Sequence, residues 1–249
     1  MKKIEIKEFG GPEVLEIKNV DIGKPGQNEV LVKNLSIGIN YIDTYHRSGL
    51  YPIPLPSGIG LEACSIIEEV GSEVKLFKVG DRVTRASMPI GTYSEKQIIP
   101  EDKLVKVPDN ISDEVASCIT LKGITAEYLL HRTYQVKKGD KILYHAAAGA
   151  LGQIFCPWAN ALGAEIIGTV GSDEKIEIAK KNGCHHVINY NEKNFVEEVE
   201  KIVGKNGLDV VYDGVGAKTF EGSIEVLKVR GMMVAFGNAS GYVHTLDIK

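Results

Sequence analysis

The stretch Lys141-Ile142-Leu143-Tyr144-His145-Ala146-Ala147-Ala148-Gly149-Ala150-Leu151-Gly152 decides the fold of this chain. An apolar run passes into small residues, and two glycines three apart then open an amphipathic segment. This pattern predicts a strand, a tight turn and a helix N-terminus whose unpaired N–H groups can bind a pyrophosphate. The full three-glycine fingerprint is absent, because Ala150 stands where glycine is the commoner residue. The alternative interpretation is a tight strand-to-helix packing turn without a ligand.

Strands and helices alternate after this turn. The sequence predicts strands over 164–171, 187–190, 208–213 and 231–236, and helices over 173–182 and 194–203. The first of these helices is expected to be capped by Ser172 or Asp173. Such alternation indicates a parallel, doubly wound α/β sheet, and glycines at the strand ends mark the edge where ligands bind in such sheets.

Residues 1–120 have a different pattern. Their strand-like runs are short, often alternate between apolar and polar residues, and are separated by glycine and proline. This indicates a mostly β, partly barrel-like domain. A helix over 112–131, which Gly123 could interrupt, is expected to lead into the α/β domain.

Composition excludes several classes of protein. The chain has 249 residues, 43% of them hydrophobic and 25% charged, and a net charge of −4 that argues against a nucleic-acid surface. We expect no membrane span and no signal peptide, because no apolar stretch is long enough. The four cysteines are scattered without a C-x-x-C pair, which favours free thiols in a reducing, cytoplasmic compartment over a disulfide framework or a metal site.

Motifs along essentially the whole chain resemble the zinc-independent, zeta-crystallin-like quinone oxidoreductases of the medium-chain dehydrogenase/reductase superfamily, in that family's order. They are Gly10-Gly11-Pro12-Glu13-Val14-Leu15, Gly38-Ile39-Asn40-Tyr41-Ile42-Asp43, Arg47-Ser48-Gly49-Leu50-Tyr51-Pro52, Leu121-Lys122-Gly123-Ile124-Thr125-Ala126, the Ala146 to Gly152 loop, Gly168-Thr169-Val170-Gly171, Ile188-Asn189-Tyr190 and Phe236-Gly237-Asn238.

The resemblance implies a GroES-like catalytic domain over residues 1–120 and a Rossmann domain over 121–249. It further implies a homodimer with NADPH-dependent quinone reductase activity on a small-molecule substrate. In that family a sixth strand, a further helix and a return to the catalytic domain follow. We therefore expect this chain to be C-terminally truncated, with a Rossmann sheet that lacks its last strand.

The resemblance also implies which polar residues surround the nicotinamide and the quinone. The catalytic candidates are Asn40, Asp43, Tyr45, Tyr51, Lys122 and Tyr128. Three of them, Asn40, Asp43 and Tyr128, are also expected to contact the cofactor, together with Thr125. Amide and phenol donors suit a quinone oxygen that becomes anionic, and Lys122 can stabilise that anion or supply a proton. The alternative interpretations without a catalytic role are that Asn40 is a turn residue, that Tyr45 and Tyr51 are packing residues, and that Lys122 is a solvated surface lysine.

The segment after the second α/β strand favours NADPH over NADH. NAD sites usually carry an acid there for the ribose diol, whereas this chain has Gly171 and Ser172, with Lys175 close behind. A hydroxyl and an ammonium suit a 2′-phosphate, and Tyr190 can pack beside it. Asp173 would repel a phosphate unless its carboxylate faces away. The other expected cofactor-binding residues are Gly149, Ala150, Leu151, Gly152, Gly214, Val215, Phe236, Gly237 and Asn238.

No zinc is expected. Related zinc enzymes carry a cysteine and a histidine where this chain has Asn40 and Leu61, and neither an amide nor an alkyl side chain replaces those ligands. Hydrogen bonds must then polarise the carbonyl acceptor. Two alternatives stay open: an enone or alkenal reductase of the same family, and a non-catalytic NADPH-binding or decayed protein. Pro157 supports the second, because it is expected to disrupt a helix on the face beneath the cofactor.

Overall fold

The computed structural model describes residues 1–243. The chain divides into two compact units, Met1–Leu121 and a second that begins at Lys122. No helix of the described part is both long and apolar enough to span a bilayer.

The N-terminal unit is built mainly from short antiparallel strands. Its elements are β1 (Lys2–Ile6), β2 (Glu16–Asn19), β3 (Glu29–Gly38), α1 (Tyr41–Ser48), β4 (Ser57–Gly58), β5 (Glu62–Val70), β6 (Arg82–Ala86), β7 (Lys96–Pro100), β8 (Val105–Lys106) and the first part of α2 (Asp113–Tyr128). They form a three-stranded sheet of order β2-β1-β4 and a five-stranded sheet of order β7-β3-β5-β6-β8.

The alternating pattern of the N-terminal strands produces one buried face. In the antiparallel register Val30 lies opposite Ile99, and Val32 lies opposite Ile67. These four side chains are at most 1% exposed and pack with Val83 of β6 in one hydrophobic cluster. The intervening Leu31 of β3 is buried as well, at 4% exposure, so this part of the strand is covered on both faces.

The C-terminal unit contains the parallel sheet that the sequence predicts. Its elements after α2 are β9 (Lys141–Tyr144), α3 (Gly152–Ala161), β10 (Glu165–Val170), α4 (Glu174–Lys181), β11 (His186–Asn189), α5 (Phe195–Val203), β12 (Leu208–Asp213), α6 (Phe220–Glu225) and β13 (Leu227–Ala235). All four strand pairings are parallel, in the order β11-β10-β9-β12-β13. The order reverses beside β9, which is where ligands bind in doubly wound folds.

Central strands of this sheet are buried on both faces. Ile142 lies between Ile166 and Val210 in register, and Leu143 lies between Ile167 and Val211. All six are fully buried. Their near-continuous apolar runs follow from this burial, because helices cover both sides of a parallel sheet.

Three local predictions are wrong in detail. Helix α2 continues through Gly123 and is followed by a π-helical turn at Leu129–Thr133, so the interruption comes later than expected. Pro157 lies inside α3 as predicted, but it is exposed rather than on a packed face. Asp173 does not cap α4, because its backbone is already helical; its carboxylate accepts instead from Asn189 Nδ2 at 2.9 Å.

All four cysteines are free thiols, in agreement with their scattered spacing. Three of them, at positions 64, 156 and 184, are buried, and Cys118 is exposed. Burial and the neighbouring Asp113 raise the pKa of the Cys64 thiol to about 11.

Candidate functional site

Helix α1 places Asn40 at its N-terminus. The preceding Gly38 allows a close approach of backbones, because a Cβ atom there would lie 1.9 Å from the carbonyl oxygen of Ser117. Asn40 itself is extended, and its backbone N–H donates to Asp43 Oδ2 at 2.9 Å. The carboxylate in the first turn also interacts favourably with the helix dipole. The sequence thereby holds Asn40 in one backbone geometry.

Glu62 fixes the side chain of Asn40. This glutamate begins β5, is fully buried, and accepts from Asn40 Nδ2 at 2.9 Å and from the backbone N–H of Leu121 at 2.7 Å. A buried carboxylate is tolerated only where donors surround it. Because one amide N–H of Asn40 points at Glu62, the orientation of the whole amide group is determined.

Asp43 is also buried, at 3% exposure. Besides the Asn40 backbone, Tyr93 donates its hydroxyl to Asp43 Oδ2 at 2.8 Å. Burial raises the pKa of the Asp43 carboxyl, and the donors from Asn40 and Tyr93 partly oppose this. The same burial raises the pKa of the Tyr93 hydroxyl far above its usual value, so Tyr93 remains a donor. Asp43 therefore positions neighbouring groups, and its predicted contact with cofactor or substrate stays a prediction.

Aromatic rings pack along the same helix. The Tyr45 ring is 8% exposed and lies 4.9 Å from the Tyr51 ring and 5.4 Å from the Tyr41 ring, measured between centroids. The backbone N–H of Tyr51 also donates to the Tyr45 carbonyl at 3.1 Å. The packing interpretation therefore accounts for the Tyr45 ring, and the catalytic roles of Tyr45 and Tyr51 stay predictions.

The other predicted polar candidates lie on α2, in the C-terminal unit. Lys122, Thr125 and Tyr128 are spaced by three residues and share one face of the helix. All three are half-buried. Tyr128 packs against the largest hydrophobic cluster of its unit, and this burial raises the pKa of its hydroxyl.

The turn after β9 has the close packing that its glycines predict. Ala146 adopts a left-handed backbone with φ 59°, and the N–H of Gly149 donates to its carbonyl at 2.8 Å. A Cβ atom on Gly152 would lie 2.4 Å from the carbonyl oxygen of Ala147. Only glycine fits there, because the clashing atoms belong to backbone. Ala150 and Leu151 complete the turn into α3.

The segment after β10 carries the groups predicted to bind a 2′-phosphate. Ser172 donates its hydroxyl to Glu174 Oε2 at 2.9 Å, and Lys175 is exposed. A Cβ atom on Gly171 would lie 3.0 Å from the Tyr190 hydroxyl oxygen, so the Tyr190 ring reaches this segment from the end of β11. The three predicted residues Gly171, Ser172 and Lys175 follow one another closely in this segment, and Tyr190 reaches it. Asp173, which the sequence predicted to oppose a phosphate unless it faced away, accepts from Asn189 Nδ2.

Two further loops are joined at the ends of β12 and β13. Ala239 donates its N–H to the Gly214 carbonyl at 3.2 Å, and Ser240 donates to the Val215 carbonyl at 2.7 Å. A Cβ atom on Gly214 would lie 2.8 Å from the Phe236 ring, and one on Gly237 would lie 2.8 Å from the Gly214 carbonyl oxygen. Glycine is therefore required at 237, where the neighbour is backbone, whereas a side chain at 214 would displace the Phe236 ring. Asn238 is held within this pair of loops by its carbonyl, which accepts from Gly241.

The structure thus forms two groups of predicted residues. In the N-terminal unit, α1 brings together Asn40, Asp43, Tyr45 and Tyr51. In the C-terminal unit, all of the predicted loops lie at the carboxyl ends of the parallel strands. Sequence reasoning missed Glu62 and Tyr93. The signal for Glu62 was a single charge at the start of the apolar run Leu61–Ile67.

Comparisons with known proteins agree with both units. Residues 26–109 match the alcohol dehydrogenase GroES-like domain family, and residues 150–249 match the zinc-binding dehydrogenase family. The quinone oxidoreductase of Pseudomonas aeruginosa is 49% identical over 99% of this chain and 76% of its own length. The chain belongs to the quinone oxidoreductase family of medium-chain dehydrogenases/reductases.

The chain is also similar to one solved quinone oxidoreductase and to one reductase of a different acceptor. The Escherichia coli quinone oxidoreductase complexed with NADPH has a TM-score of 0.96 and 49% identity, covering 99% of this chain and 76% of that one. A 2-haloacrylate reductase from Burkholderia sp is 47% identical over 98% of this chain and 75% of its own length. The GroES-like and Rossmann architecture implied by the sequence motifs is therefore confirmed.

One matched family is named for zinc. Within residues 1–243 the structure contains no group of three or more His, Cys, Asp or Glu side chains arranged to hold a metal ion. Asn40 is instead bonded to Glu62, and Leu61 is a buried alkyl side chain at 6% exposure. The absence of a catalytic zinc stays a prediction for this family member, and elemental analysis tests it.

Proposed function

We propose that this quinone oxidoreductase family member catalyses NADPH-dependent reduction of quinones without a metal. The observation that carries the proposal is the match to the NADPH complex of the E. coli enzyme over 99% of the chain, at 49% identity and TM-score 0.96. Function within a fold still depends on the site. The geometry of each unit therefore has to suit the cofactor and the acceptor separately.

The loops of the C-terminal unit fit a dinucleotide. Gly152 packs closely against the Ala147 carbonyl and Gly214 against the Phe236 ring, so the loops at two strand ends are compact. The turn from Gly149 to Gly152 precedes the ten-residue helix α3, whose positive dipole end suits a pyrophosphate. The corresponding cofactor-binding residues are Gly149, Ala150, Leu151, Gly152, Gly214, Val215, Phe236, Gly237 and Asn238.

A 2′-phosphate suits the segment after β10 better than a free ribose diol. The hydroxyl of Ser172 and the exposed ammonium of Lys175 are donors, and Tyr190 reaches Gly171. In the structure Ser172 donates to Glu174 Oε2, so a bound phosphate would replace Glu174 as the acceptor of this hydroxyl. Asp173, the carboxylate that the sequence predicted to oppose a phosphate, accepts from Asn189 Nδ2. We propose NADPH as the preferred donor.

Bound NADPH supplies the hydride. The residues of the protein must bind the acceptor and stabilise the acceptor oxygen that gains negative charge. Asn40 offers an amide donor whose direction Glu62 fixes, at a position that needs no reorganisation during reaction. Lys122 is the candidate for stabilising the anion or supplying the proton that completes the hydroquinone, and Thr125 and Tyr128 share its helix face.

A haloacrylate-type acceptor is the second candidate, because the Burkholderia relative is a 2-haloacrylate reductase. The same hydride donor would reduce a carbon–carbon double bond conjugated to a carbonyl. Turnover of a quinone and of a haloacrylate, measured separately, distinguishes the two candidates.

NADPH oxidation by the purified protein tests the proposal, with 1,4-benzoquinone and 2-chloroacrylate as separate acceptors and NADH as the alternative donor. We expect turnover to be faster with the quinone and with NADPH. Faster reduction of chloroacrylate would favour the second candidate. NADPH binding without turnover of either acceptor would favour the non-catalytic alternative.

Two finer properties are also proposed. The family resemblance suggests a homodimer, which light scattering during size-exclusion chromatography measures. Four free thiols suggest a reducing, cytoplasmic compartment, because scattered unpaired cysteines suit such surroundings. Fractionation of the source cells tests the second point.

A further inference from the structure

A buried polar chain links three strand ends of the C-terminal unit. His145 follows β9 and is 1% exposed. Its Nδ1 lies 2.9 Å from Thr169 Oγ1 on β10, and its Nε2 lies 2.9 Å from Ser223 Oγ on α6. Ser223 in turn lies 3.0 Å from Oδ2 of Asp213, the last residue of β12. All four side chains are at most 1% exposed.

Asp213 also fixes the turn that follows it. Its Oδ1 accepts the backbone N–H groups of Val215 at 2.8 Å and Gly216 at 3.0 Å. The hydroxyl of Thr219 lies 2.9 and 2.8 Å from the two carboxylate oxygens. Since the 236–241 loop is bonded to this turn through Gly214 and Val215, one carboxylate organises both loops.

The available donors and acceptors determine the direction of each hydrogen bond that links Asp213, Ser223, His145 and Thr169. Asp213, surrounded by donors, can only accept, so Ser223 donates its hydroxyl hydrogen to it. The Ser223 oxygen must then accept from His145, which places the ring proton on Nε2. Burial lowers the pKa of His145 to about 4, so the ring is neutral and its Nδ1 accepts from the Thr169 hydroxyl.

We propose that His145, as the neutral Nε2–H tautomer, is a positioning residue for the dinucleotide. It ties the turn at Gly149–Gly152, the segment at Gly171–Lys175 and the turn at Gly214–Gly216 into one rigid donor surface. This rests on the proposed NADPH binding. It goes further, because none of the four linked side chains is exposed enough to contact a ligand itself.

The backbone supports this assignment. His145 donates its own N–H to the Tyr212 carbonyl at 3.1 Å, and Ala147 donates to the Thr169 carbonyl at 2.9 Å. His145 and Thr169 are therefore held next to the loops that they precede. A rotation of the His145 ring would break bonds to β10 and α6 together, so displacement of one loop is opposed by the others.

A matched pair of substitutions tests the proposal. Thr169→Val keeps the side-chain shape and removes the hydroxyl that donates to Nδ1, whereas Thr169→Ser keeps the hydroxyl. We expect Thr169→Val to weaken NADPH binding about tenfold and Thr169→Ser to change it less than about twofold. At saturating NADPH the kcat of both should stay within about twofold of the unsubstituted protein, because the chain does not touch the quinone.

Nitrogen NMR of the unsubstituted protein tests the tautomer independently. We expect the His145 ring to carry its proton on Nε2 and to remain neutral from pH 8 down to pH 5, the range where an ordinary histidine titrates. A proton on Nδ1, or titration in that range, would overturn the assignment. If Thr169→Val does not fold, Ser223→Ala, which also removes one hydroxyl, replaces it in the binding assay.

The outcomes are separable. Loss of thermal stability without loss of NADPH affinity in Thr169→Val would show that the chain supports only the fold, and would refute the proposal. Equal losses in Thr169→Val and Thr169→Ser would refute it as well. If the unsubstituted protein does not bind NADPH, the proposed function and the positioning role both fail, while the NMR result still decides the tautomer.

Discussion

Replacing Gly152 by alanine should destabilise the protein and weaken NADPH binding. A Cβ atom there would lie 2.4 Å from the Ala147 carbonyl oxygen, whereas ordinary contact begins at 3.4 Å. Helix α3 and the turn after β9 must therefore separate by about 1 Å, and such overpacking costs about 1–3 kcal/mol. The better helix propensity of alanine returns up to about 1 kcal/mol.

The net loss of about 1–2 kcal/mol should lower the Tm by about 2–8 °C for a chain of this size. NADPH affinity should fall by about tenfold or more, because a displacement of this size misplaces the binding groups. Gly123→Ala is the matched control. A Cβ atom at Gly123 meets nothing within 4 Å, so this substitution in α2 should stabilise by about 0.4–1 kcal/mol.

Thermal unfolding by circular dichroism and isothermal titration with NADPH measure both effects. A Gly152→Ala protein that melts at the original temperature and binds NADPH as before would refute the close-packing argument. A parallel loss of stability in Gly123→Ala would show that glycine replacement in this chain destabilises for reasons other than contact with backbone.

Four further predictions follow from the same geometry. Glu62→Gln should lower kcat for benzoquinone about tenfold with little change in NADPH affinity, because glutamine offers one acceptor oxygen to the two donors from Asn40 and Leu121. Steady-state kinetics measure the change in kcat, and stopped-flow binding measures the NADPH affinity. Lys175→Ala should reduce the preference for NADPH over NADH by about 1.5–3 kcal/mol, measured as the ratio of kcat/KM, provided that the ammonium contacts the phosphate. Burial lowers the pKa of His145 to about 4, so as pH falls this histidine is protonated in the unfolded chain before it is protonated in the folded one. The free energy of unfolding should therefore be highest above about pH 6.5 and decline by on the order of 3 kcal/mol toward pH 4. Urea unfolding measures this decline, which should be smaller in His145→Gln. Dialysed protein should contain no stoichiometric zinc by mass spectrometry, and chelators should leave turnover unchanged; one tightly held ion per chain would contradict this.

The sequence predicts most of the α/β unit because its elements are regular and glycines punctuate them. The helix over Phe220–Glu225 escaped prediction, since it is short and contains Gly222 and Ser223, which are poor helix formers. The last predicted strand begins at Gly231, whereas β13 begins at Leu227. A register shift separates the pair Leu208–Leu227 from the pair Val210–Met232, so the regular part of the strand is the part that the sequence predicted.

The sequence indicated candidate site residues where residue type alone points to chemistry. These are the glycines at strand ends, the Asn40 amide, and a serine and a lysine in place of an acid; their roles stay predictions. Which way a side chain faces was not predictable: the sequence left Asp173 able to cap its helix or to oppose a phosphate, and the structure turns it to Asn189. The Tyr45 ring likewise packs between two other tyrosines, a contact that depends on helix rotation.

Buried carboxylates explain why the supporting residues were missed. Glu62 and Asp213 are fully buried or nearly so, and each accepts from backbone N–H groups and from polar side chains. Sequence patterns mark such residues only as an acid at one end of an apolar strand, which is equally typical of a solvated strand end. Burying a charge is costly unless donors surround it. Each of these two acids therefore depends on several donors from distant parts of the sequence, which no local pattern reveals. Substituting either acid should change ligand affinity or turnover through the groups that it holds, because neither acid contacts the ligand directly.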